Sequence, residues 1–177
     1  MRIAEVATRA ERRAQEVLAL IGDLLDLGQV EHAQLDEGRE HLRAGDVLMD
    51  AADLLRPSAM EKRIAFEVRL HPDRPTVFAN PRHLDLLWTN LLSNAIKYTP
   101  TGGKVEVMLR CDAKNLCMDV ADSGIGIPQE DHDKIFQEFY RSELARRFDP
   151  HGTGLGLAIV YHVISLYHGE IGFESEV

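Results

Sequence analysis

Two asparagines and a lysine recur at helical spacing near the middle of the chain. Asn90, Asn94 and Lys97 are separated by four and then three residues, so on an α-helix their side chains form one polar stripe. This stripe borders the apolar arc of the same predicted helix instead of lying opposite to it. Polar groups that are partly buried beside a core need partners. The stripe therefore indicates a binding site, although the residues alone leave open a solvated stripe on an amphipathic helix.

Two glycine-rich blocks follow this stripe. The first, Asp122–Ile127, reads Asp-Ser-Gly-Ile-Gly-Ile, and the second, Gly152–Leu157, reads Gly-Thr-Gly-Leu-Gly-Leu. The second block opens a predicted helix, where backbone N–H groups without side chains in the way bind phosphate. It is not a P-loop, because Gly-x-x-x-x-Gly-Lys-[Ser/Thr] does not occur in the chain. The first block, taken alone, is equally compatible with an ordinary Asp–Gly turn.

Four blocks in a fixed order carry a family resemblance: Asn90–Tyr98, Asp122–Ile127, Phe136–Arg141 and Gly152–Leu157. They resemble the N, G1, F and G2 boxes of the sensor histidine kinases. Those kinases share an ATPase/kinase superfamily with gyrase, the heat-shock-90 chaperones and the mismatch-repair ATPases. With its flanking similarity, the resemblance covers nearly the whole chain. It implies ATP and Mg²⁺ as ligands.

The resemblance also implies a role for each block. Asp122 would read adenine, because a carboxylate only accepts hydrogen bonds, so it pairs with an exocyclic amine and rejects the carbonyl of guanine. Asn94 would be the Mg²⁺ ligand through its hard amide oxygen, and Asn90 would hold the water shell of the metal. The remaining implied ATP contacts are Lys97, Tyr98, Gly124, Gly126, Ile127, Phe139, Arg141, Gly152, Thr153, Gly154, Leu155, Gly156 and Leu157.

Residues 140–151 would form a lid over the triphosphate, with Phe136 and Phe139 anchoring its start. Arg141 follows the F box and is the implied contact for the γ-phosphate. Glu138–His151 is also the least apolar stretch of the chain and is predicted to be mobile. Two further arginines in the lid are interpreted as solvated, Arg146 and Arg147.

The residue four positions before the metal-binding asparagine favours a kinase over a hydrolase. In the hydrolysing relatives this position is typically a Glu that activates water, whereas here it is Asn90, which cannot act as a general base near neutral pH. Catalysis would then be positioning and charge stabilisation by Mg²⁺, Lys97, Arg141 and the glycine-rich amides.

The resemblance also implies that Tyr98 packs on the nucleoside. The alternatives are that Lys97 is a surface lysine and that Tyr98 is a core aromatic residue.

Two other functions stay open. The first is an ATPase of the same superfamily whose nucleotide-driven closure does mechanical work. The second is a non-catalytic, nucleotide-gated interaction module. A serine kinase of the anti-sigma type is a lesser variant, because the N-terminal helix does not suit it.

The remaining periodicities predict an α+β chain. The resemblance implies a two-layer α/β sandwich, the Bergerat ATP-binding fold, with a mixed and mainly antiparallel sheet covered by three helices and preceded by a long N-terminal helix. The predicted helices are 2–34, 46–62, 80–98, a short one within 128–137, and 155–167. The predicted strands are 40–43, 64–70, 76–79, 104–112, 116–121 and one that starts at 170–174. In the second helix, the predicted inward residues are Val47, Leu48, Ala51, Leu54 and Leu55, and Pro57 is predicted to kink or end it.

The N-terminal helix carries a heptad seam. Its members are Ile3, Ala7, Ala10, Ala14, Val17, Ile21, Leu24 and Gly28. Leu24–Glu31 resembles the second helix of the histidine-kinase dimerisation hairpin, which favours an intermolecular bundle over packing on its own domain. We therefore expect residues 1–34 to be part of the dimerisation and phosphoacceptor region, 35–45 a linker with an edge strand, and 46–177 the ATP-binding catalytic domain, with its last strand missing.

The phosphoacceptor histidine of the family is not found in this chain. Only His132 has an adjacent acid, Asp133, and it lies between the G1 and F boxes. The chain is therefore expected to be a piece of a longer kinase, with Met1 not its natural beginning. The implied partners are the phosphoacceptor hairpin of the parent, a response-regulator receiver domain and a second copy of the N-terminal helix.

Composition excludes several other classes of partner. The net charge of -9 argues against nucleic acid, whose phosphates are bound by basic surfaces. No apolar run is long enough to span a bilayer, so we expect a cytoplasmic fragment without membrane contact. Membrane anchoring of the longer parent protein stays open. Cys111 and Cys117 form no CxxC pair and are interpreted as reduced thiols.

Overall fold

The computed structural model describes residues 2–33, 37–72, 75–111 and 115–177. Within them the elements follow in this order: α1 (Arg2–Glu31), β1 (Glu40–Arg43), α2 (Ala44–Glu61), β2 (Ala65–Leu70), β3 (Thr76–Ala79), α3 (Pro81–Tyr98), β4 (Lys104–Cys111), β5 (Leu116–Asp122), a 3₁₀ turn (Gln129–Asp131), α4 (Glu143–Phe148) and α5 (Gly156–Leu166). The predicted order of helices and strands is confirmed as far as α5, except that only a 3₁₀ turn lies within 128–137 and that α4 was not predicted. No helix in the described part of the chain has the length and hydropathy needed to cross a membrane.

The strands form two small sheets. In the larger one β4 lies in the centre, parallel to β2 and antiparallel to β5. The smaller one pairs β1 with β3 in antiparallel register. The mixed, mainly antiparallel pairing that was predicted is thus confirmed. Asp122 lies opposite Val105, so the β4–β5 hairpin delivers this carboxylate to the end of the sheet. Of the predicted turn 113–115, residues 113 and 114 lie outside the described residues.

The core lies between the larger sheet and three helices, α2, α3 and α5. Its largest fully buried side chains are Leu48, Leu92, Leu109, Leu155, Ile159, Val105, Val107, Val160 and Val163. The prediction that Leu54 faces inward is wrong, because this side chain is 69% exposed. The buried positions of α2 include Leu48, Ala52 and Ala59, which places Leu54 on the opposite side. Pro57 lies inside α2 and does not end it.

Helix α3 begins as predicted. The Oδ1 atom of Asn80 accepts the backbone N–H of Arg82 at 2.9 Å, and Pro81 occupies the first turn, where its missing N–H costs nothing. The predicted apolar arc consists of Leu84, Leu87, Trp88, Leu91, Leu92 and Ala95, and all of them are buried except Leu91, which is half-buried. The burial of this arc fixes the rotation of α3 about its axis and therefore the direction in which Asn90, Asn94 and Lys97 point.

A buried histidine joins α3 to the end of α5. His83 Nδ1 lies 3.0 Å from Tyr167 Oη, and that oxygen also accepts the backbone N–H of Asn80 at 2.9 Å. The tyrosine hydroxyl can donate to Nδ1 when His83 is neutral and protonated at Nε2. Burial lowers the pKa of His83 below 6.5 and the charge of Arg82 lowers it further, while Glu37 opposes this in part.

This histidine predicts an acid-sensitive fold. Because the pKa of His83 is lowered in the folded protein, the unfolded chain binds the proton more readily. The contribution of neutral His83 to the free energy of unfolding is therefore fully present above the ordinary pKa and is lost as the pH falls below that value. The free energy of unfolding should therefore decrease between about pH 7.5 and pH 5. His83→Asn keeps a polar group near Nδ1 without titrating, so its denaturant curves should show a smaller decrease. An unchanged pH slope in the variant would contradict the prediction.

The buried side chains of helix α1 lie in its C-terminal part. Leu27 and Val30 are buried, and the helix contacts α5. The other large apolar side chains of the described part of α1 are mostly exposed: Val6, Val17, Leu18, Ile21, Leu24 and Leu25. Helix α1 therefore packs on its own domain in part, while much of the heptad seam is uncovered, and the intermolecular bundle stays a prediction.

The strand predicted to start at 170–174 is wrong. Residues 167–177 contain no strand, and their placement depends on side chains instead. Ser175 Oγ accepts the backbone N–H of Ile127 at 2.9 Å, and the Phe173 ring contacts the rings of His132 and Phe136. These side-chain contacts, instead of the backbone hydrogen bonds of a strand, hold the segment in place. The structure also contains a helix that was not predicted, α4, within the stretch predicted to be mobile.

Candidate functional site

The two asparagines of α3 face the first turn of α5. Asn90 Nδ2 donates to the carbonyl of Leu86 at 2.8 Å, which fixes the side chain. A Cβ atom at position 156 would lie 2.8 Å from Asn90 Oδ1 and 3.3 Å from Asn94 Nδ2. Gly156 is therefore the residue that lets the amides approach the N-terminus of α5. Because amide oxygen and nitrogen are interchangeable by rotation, Asn94 has the same access through its oxygen.

A cavity of about 1060 Å³ begins at these amides. Most of the residues predicted to contact ATP line it: Asn90, Asn94, Lys97, Tyr98, Asp122, Gly126, Ile127, Arg141, Gly152, Thr153, Gly154, Gly156 and Leu157. Three predicted residues do not line it. Gly124 lines a neighbouring cleft, Leu155 is fully buried in the core, and Phe139 is half exposed.

The carboxylate of Asp122 is joined to the turn that follows it. Its Oδ1 atom accepts the N–H of Gly124 at 2.8 Å, and a Cβ at position 124 would lie 2.4 Å from that oxygen. Ile125 N–H donates to the carbonyl of Tyr98 at 3.2 Å, which ties the same turn to the end of α3. The Asp–Gly turn thus forms part of the cavity wall, and the role of Asp122 in reading adenine stays a prediction.

Positive φ values mark the two glycines that bring the lid and the C-terminal segment close to the site. Gly126 has φ +71°, and a Cβ there would lie 1.9 Å from the carbonyl oxygen of Glu176. Gly154 has φ +79° and lies against the backbone of Phe139, which itself has φ +61°. Any other residue at either position would meet both strain and a backbone clash.

The two predicted phosphate-binding cations are both paired with Asp149. Lys97 Nζ lies 2.6 Å from Asp149 Oδ2, and Arg141 Nη2 lies 3.6 Å from the same oxygen. Arg141 is only 9% exposed and also donates to the backbone carbonyls of Gly152 and Asp149. Burial raises the pKa of Asp149, but the Lys97 hydrogen bond, the His151 N–H and the two cations outweigh it and lower the pKa below 3.8. The carboxylate is thus ionised at neutral pH.

Three residues that contact the C-terminal end of α3 or its lysine, without lining the cavity, were missed by the sequence analysis. Asp149 is one, and Lys62 and Phe148 are the others. Lys62 Nζ donates to the carbonyls of Ile96 and Lys97 at 2.8 and 2.7 Å, where it caps the C-terminus of α3. Burial lowers the pKa of Lys62, and the charge of Asp149 partly restores it. The sequence signals none of these contacts, because each joins segments that are distant in the chain.

The lid arginines differ in their surroundings. Arg141 is buried and organises the lid, whereas Arg146 and Arg147 are exposed, as predicted. The Phe148 ring lies 6.4 Å from that of Tyr98 and 5.6 Å from Lys62 Nζ, so the end of α4 packs over α3. The lid is therefore folded against the cavity.

Helix α1 also reaches the second glycine-rich block. Thr153 Oγ1 donates to Asp23 Oδ2 at 2.5 Å, and His151 Nδ1 lies 2.7 Å from Glu16 Oε1. Asp23 lines the cavity as well. These contacts link the helix expected to belong to the dimerisation region with the loop expected to bind phosphate, and no local pattern predicts them.

Comparison with known proteins identifies the family. Residues 79–177 match the family described as histidine kinase-, DNA gyrase B-, and HSP90-like ATPase. The chain is 30% identical over 176 residues to the autoinducer 2 sensor kinase/phosphatase LuxQ of Vibrio vulnificus, covering 92% of this chain and 20% of LuxQ. It therefore spans about a fifth of the length of the curated relatives it matches.

Solved structures agree with this result. The mycobacterial sensor histidine kinase MprB is 31% identical, with a TM-score of 0.61 over 72% of this chain and 78% of that one. Full-length ShkA in complex with AMPPNP is 26% identical, with a TM-score of 0.77 over 97% of this chain and 36% of that one. The family match and these relatives agree with the four boxes and their geometry, and on these grounds the chain belongs to the histidine kinase-, DNA gyrase B-, and HSP90-like ATPases and, within them, is an ATP-binding domain of the sensor histidine kinase type.

Proposed function

We propose that this chain is the phosphotransfer unit of a longer sensor histidine kinase. It would bind Mg·ATP and donate the γ-phosphoryl group to a histidine on a dimerisation helix outside this chain. The observation that carries the proposal is the arrangement of the cavity. The turn that follows Asp122 lies against the C-terminal end of α3, whereas the amides of Asn90 and Asn94 lie one to two turns earlier on α3, against the first turn of α5. Lys97 lines the same cavity.

Two groups of residues in this site suit two parts of ATP, the base and the phosphates. The carboxylate of Asp122 can accept a hydrogen bond from the exocyclic amine of adenine. The glycine-rich N-terminus of α5 offers backbone N–H groups and a partial positive charge to phosphate. Lys97 adds a point charge, and Arg141 stabilises charge on the transferred group once the lid rearranges.

The two asparagines fit a magnesium ion. Mg²⁺ is usually held by few protein oxygens together with phosphates and water, and the amides of Asn90 and Asn94 share one face of α3 beside the phosphate end. Asn94 would bind the ion and Asn90 its water shell. When bound, Mg²⁺ neutralises phosphate charge and orients the γ-phosphoryl group.

The residues favour transfer to a histidine over hydrolysis. In the transfer, a ring nitrogen of the acceptor histidine forms a bond to the γ-phosphorus while the bond to the bridging oxygen breaks and ADP leaves. Asn90 offers no general base, and its amide is already engaged with the carbonyl of Leu86. Water in the site would therefore not be activated at this position.

The same proposal assigns the regions and partners. Residues 1–34 would contribute the second helix of the dimerisation hairpin, 35–45 a linker, and 46–177 the catalytic domain. The exposed apolar side chains of α1, among them Val17, Ile21 and Leu24, support homodimer formation through this helix. A response-regulator receiver domain would accept the phosphoryl group next. Because its substrate is ATP, the unit would work in the cytoplasm, whether or not the longer protein is anchored in a membrane.

We predict that this chain binds Mg·ATP but does not phosphorylate itself. Calorimetric titration with a non-hydrolysable ATP analogue should give micromolar binding that depends on Mg²⁺, and Asn94→Ala should remove this dependence. ATP labelled in its γ-phosphate should leave no phosphohistidine on the chain alone. Label should pass to an added histidine-containing dimerisation hairpin from a sensor kinase.

Each other function gives a different result in this assay. Phosphohistidine on the isolated chain would contradict the proposal. Steady release of inorganic phosphate would favour the ATPase. Nucleotide binding without label on the added hairpin would favour the non-catalytic interaction module.

A further inference from the structure

Three metal-ligating side chains from three different elements converge at the end of α1. Glu31 is the last residue of α1, Glu138 lies in the segment before the lid, and His162 lies on α5. His162 Nε2 is 3.7 Å from Glu31 Oε1 and 3.8 Å from Glu138 Oε1. One atom from each residue can be chosen so that all three lie within 4.8 Å of one another. None of the three residues was assigned to the nucleotide site.

The distances between these atoms suit ligands of a metal ion better than direct partners. Both exceed the 3.5 Å limit of a hydrogen bond, so the imidazole nitrogen and the carboxylates are at most loose ion pairs, and only when His162 is protonated. Around a tetrahedral zinc ion, with bonds of about 2.0–2.2 Å, neighbouring ligand atoms lie about 3.3–3.6 Å apart. Small side-chain rotations would bring the three atoms to that separation.

Neighbouring packing holds the three residues in this arrangement. Val30 precedes Glu31 and is buried, and Val163 follows His162 and is buried. The ring of Phe136, two residues before Glu138, lies 5.9 Å from that of Tyr161 on α5. The site is thus built on three anchored backbones, while its side chains remain accessible, with exposures of 38% for Glu31, 42% for Glu138 and 33% for His162.

We propose that Glu31, Glu138 and His162 bind one divalent transition-metal ion that clamps the end of α1 to the catalytic domain. One imidazole and two carboxylates suit zinc and copper, and the affinity order of such sites favours Cu²⁺ over Zn²⁺. Mg²⁺ is a poor fit, since it prefers oxygen ligands in octahedral geometry. With three protein ligands, a water molecule takes the next position.

The clamp would strengthen an interface that otherwise depends on single polar contacts. Besides the packing of Leu27 and Val30, α1 is held by Asp26 with Arg82 at 3.0 Å and by its contacts with the second glycine-rich block. Partly exposed pairs of this kind contribute little on their own. A metal ion that bridges α1, α5 and the segment before the lid would therefore decide how firmly α1 is held.

The test is metal binding by the whole chain, without a histidine tag. Cys111 and Cys117 are replaced by serine in every sample, because free thiols also bind zinc. Calorimetric titration with Zn²⁺ should show one ion per chain. His162→Gln and Glu138→Gln should each weaken binding at least about tenfold. His41→Gln is the matched control, because this histidine is exposed on β1, and it should bind as the parent does.

Two further readouts separate the site from adventitious binding. With Cu²⁺, electron paramagnetic resonance should show coupling to one nitrogen, which His162→Gln removes. With Zn²⁺, hydrogen exchange should slow in the last turns of α1, and Glu31→Gln should abolish this protection. Thermal melting without metal confirms that each variant is folded. Equal Zn²⁺ affinity in the parent and the site variants, no binding tighter than millimolar, or unchanged exchange in α1 would each overturn the proposal.

Discussion

Asp122→Asn is expected to lower the affinity for an ATP analogue by about 10- to 100-fold. A hydrogen bond to a charged group contributes about 1.5–3 kcal/mol, and the amide that replaces the carboxylate removes this charge. The substitution also introduces a donor, which the carbonyl of guanine accepts, so the preference for ATP over GTP should largely disappear. The Oδ1 atom of the new asparagine can still accept the N–H of Gly124, and the turn itself should therefore persist.

The control for this variant lies on the same strand. Asp119→Asn also removes one negative charge from β5, but Asp119 is exposed and pairs with Arg110. The affinity of the Asp119→Asn variant for the ATP analogue should match that of the wild type. Calorimetric titrations of both variants with ATP and GTP analogues give the comparison. If Asp122→Asn binds ATP as tightly as Asp119→Asn does, Asp122 does not read the base.

Local patterns predicted the elements that position this carboxylate. Alternating apolar residues define β4 and β5, and their antiparallel pairing brings Asp122 to the sheet end. The bounds of β3 were predicted to the residue, since turn residues precede it and the Asn80 cap follows it. Helix α3 was predicted equally well, because its cap, its first-turn proline and its apolar arc all act within a few residues.

The contacts that were not predicted are those between distant segments. Asp149 meets Lys97 across more than fifty residues, and Lys62 caps a helix that ends more than thirty residues later. A charged residue in a polar stretch shows no period that reveals its partner. Secondary structure after α5 was mispredicted for a related reason, because a strand needs a backbone partner, and here Ser175 and Phe173 fix the segment through side chains.

Lys97→Ala and Asp149→Asn are expected to change ATP affinity in opposite directions. In the structure, the carboxylate of Asp149 takes the ammonium of Lys97 at 2.6 Å and lies near the guanidinium of Arg141. A triphosphate needs the same cations, so it competes with Asp149 for them. Loss of the lysine should weaken ATP binding about tenfold, since this partly exposed charge is screened by solvent. Loss of the aspartate charge should strengthen ATP binding several-fold.

Asp149→Asn should also destabilise the protein without nucleotide. Because the pKa of Asp149 is lowered, its ionised form stabilises the fold above the ordinary pKa of 3.8, and this contribution is lost as the pH falls below that value. The asparagine can still accept the N–H of His151, so it removes the charge and little else. Melting temperatures should therefore fall in the absence of ATP and recover more steeply with added Mg·ATP than in the wild type.

Adenosine and a lid variant make this pair of substitutions decisive. Adenosine lacks phosphates, so its affinity should be the same in wild type, Lys97→Ala and Asp149→Asn. Glu143→Gln removes one negative charge from the same segment, but Glu143 pairs with the exposed Arg147 and leaves Lys97 untouched, so ATP affinity should not rise. If Asp149→Asn weakened ATP and adenosine binding alike, the carboxylate would be a brace for the lid instead of a competitor of the phosphates. The expected pattern means that Asp149 and the triphosphate compete for Lys97 and Arg141, and that ATP opens the lid by taking these cations from Asp149.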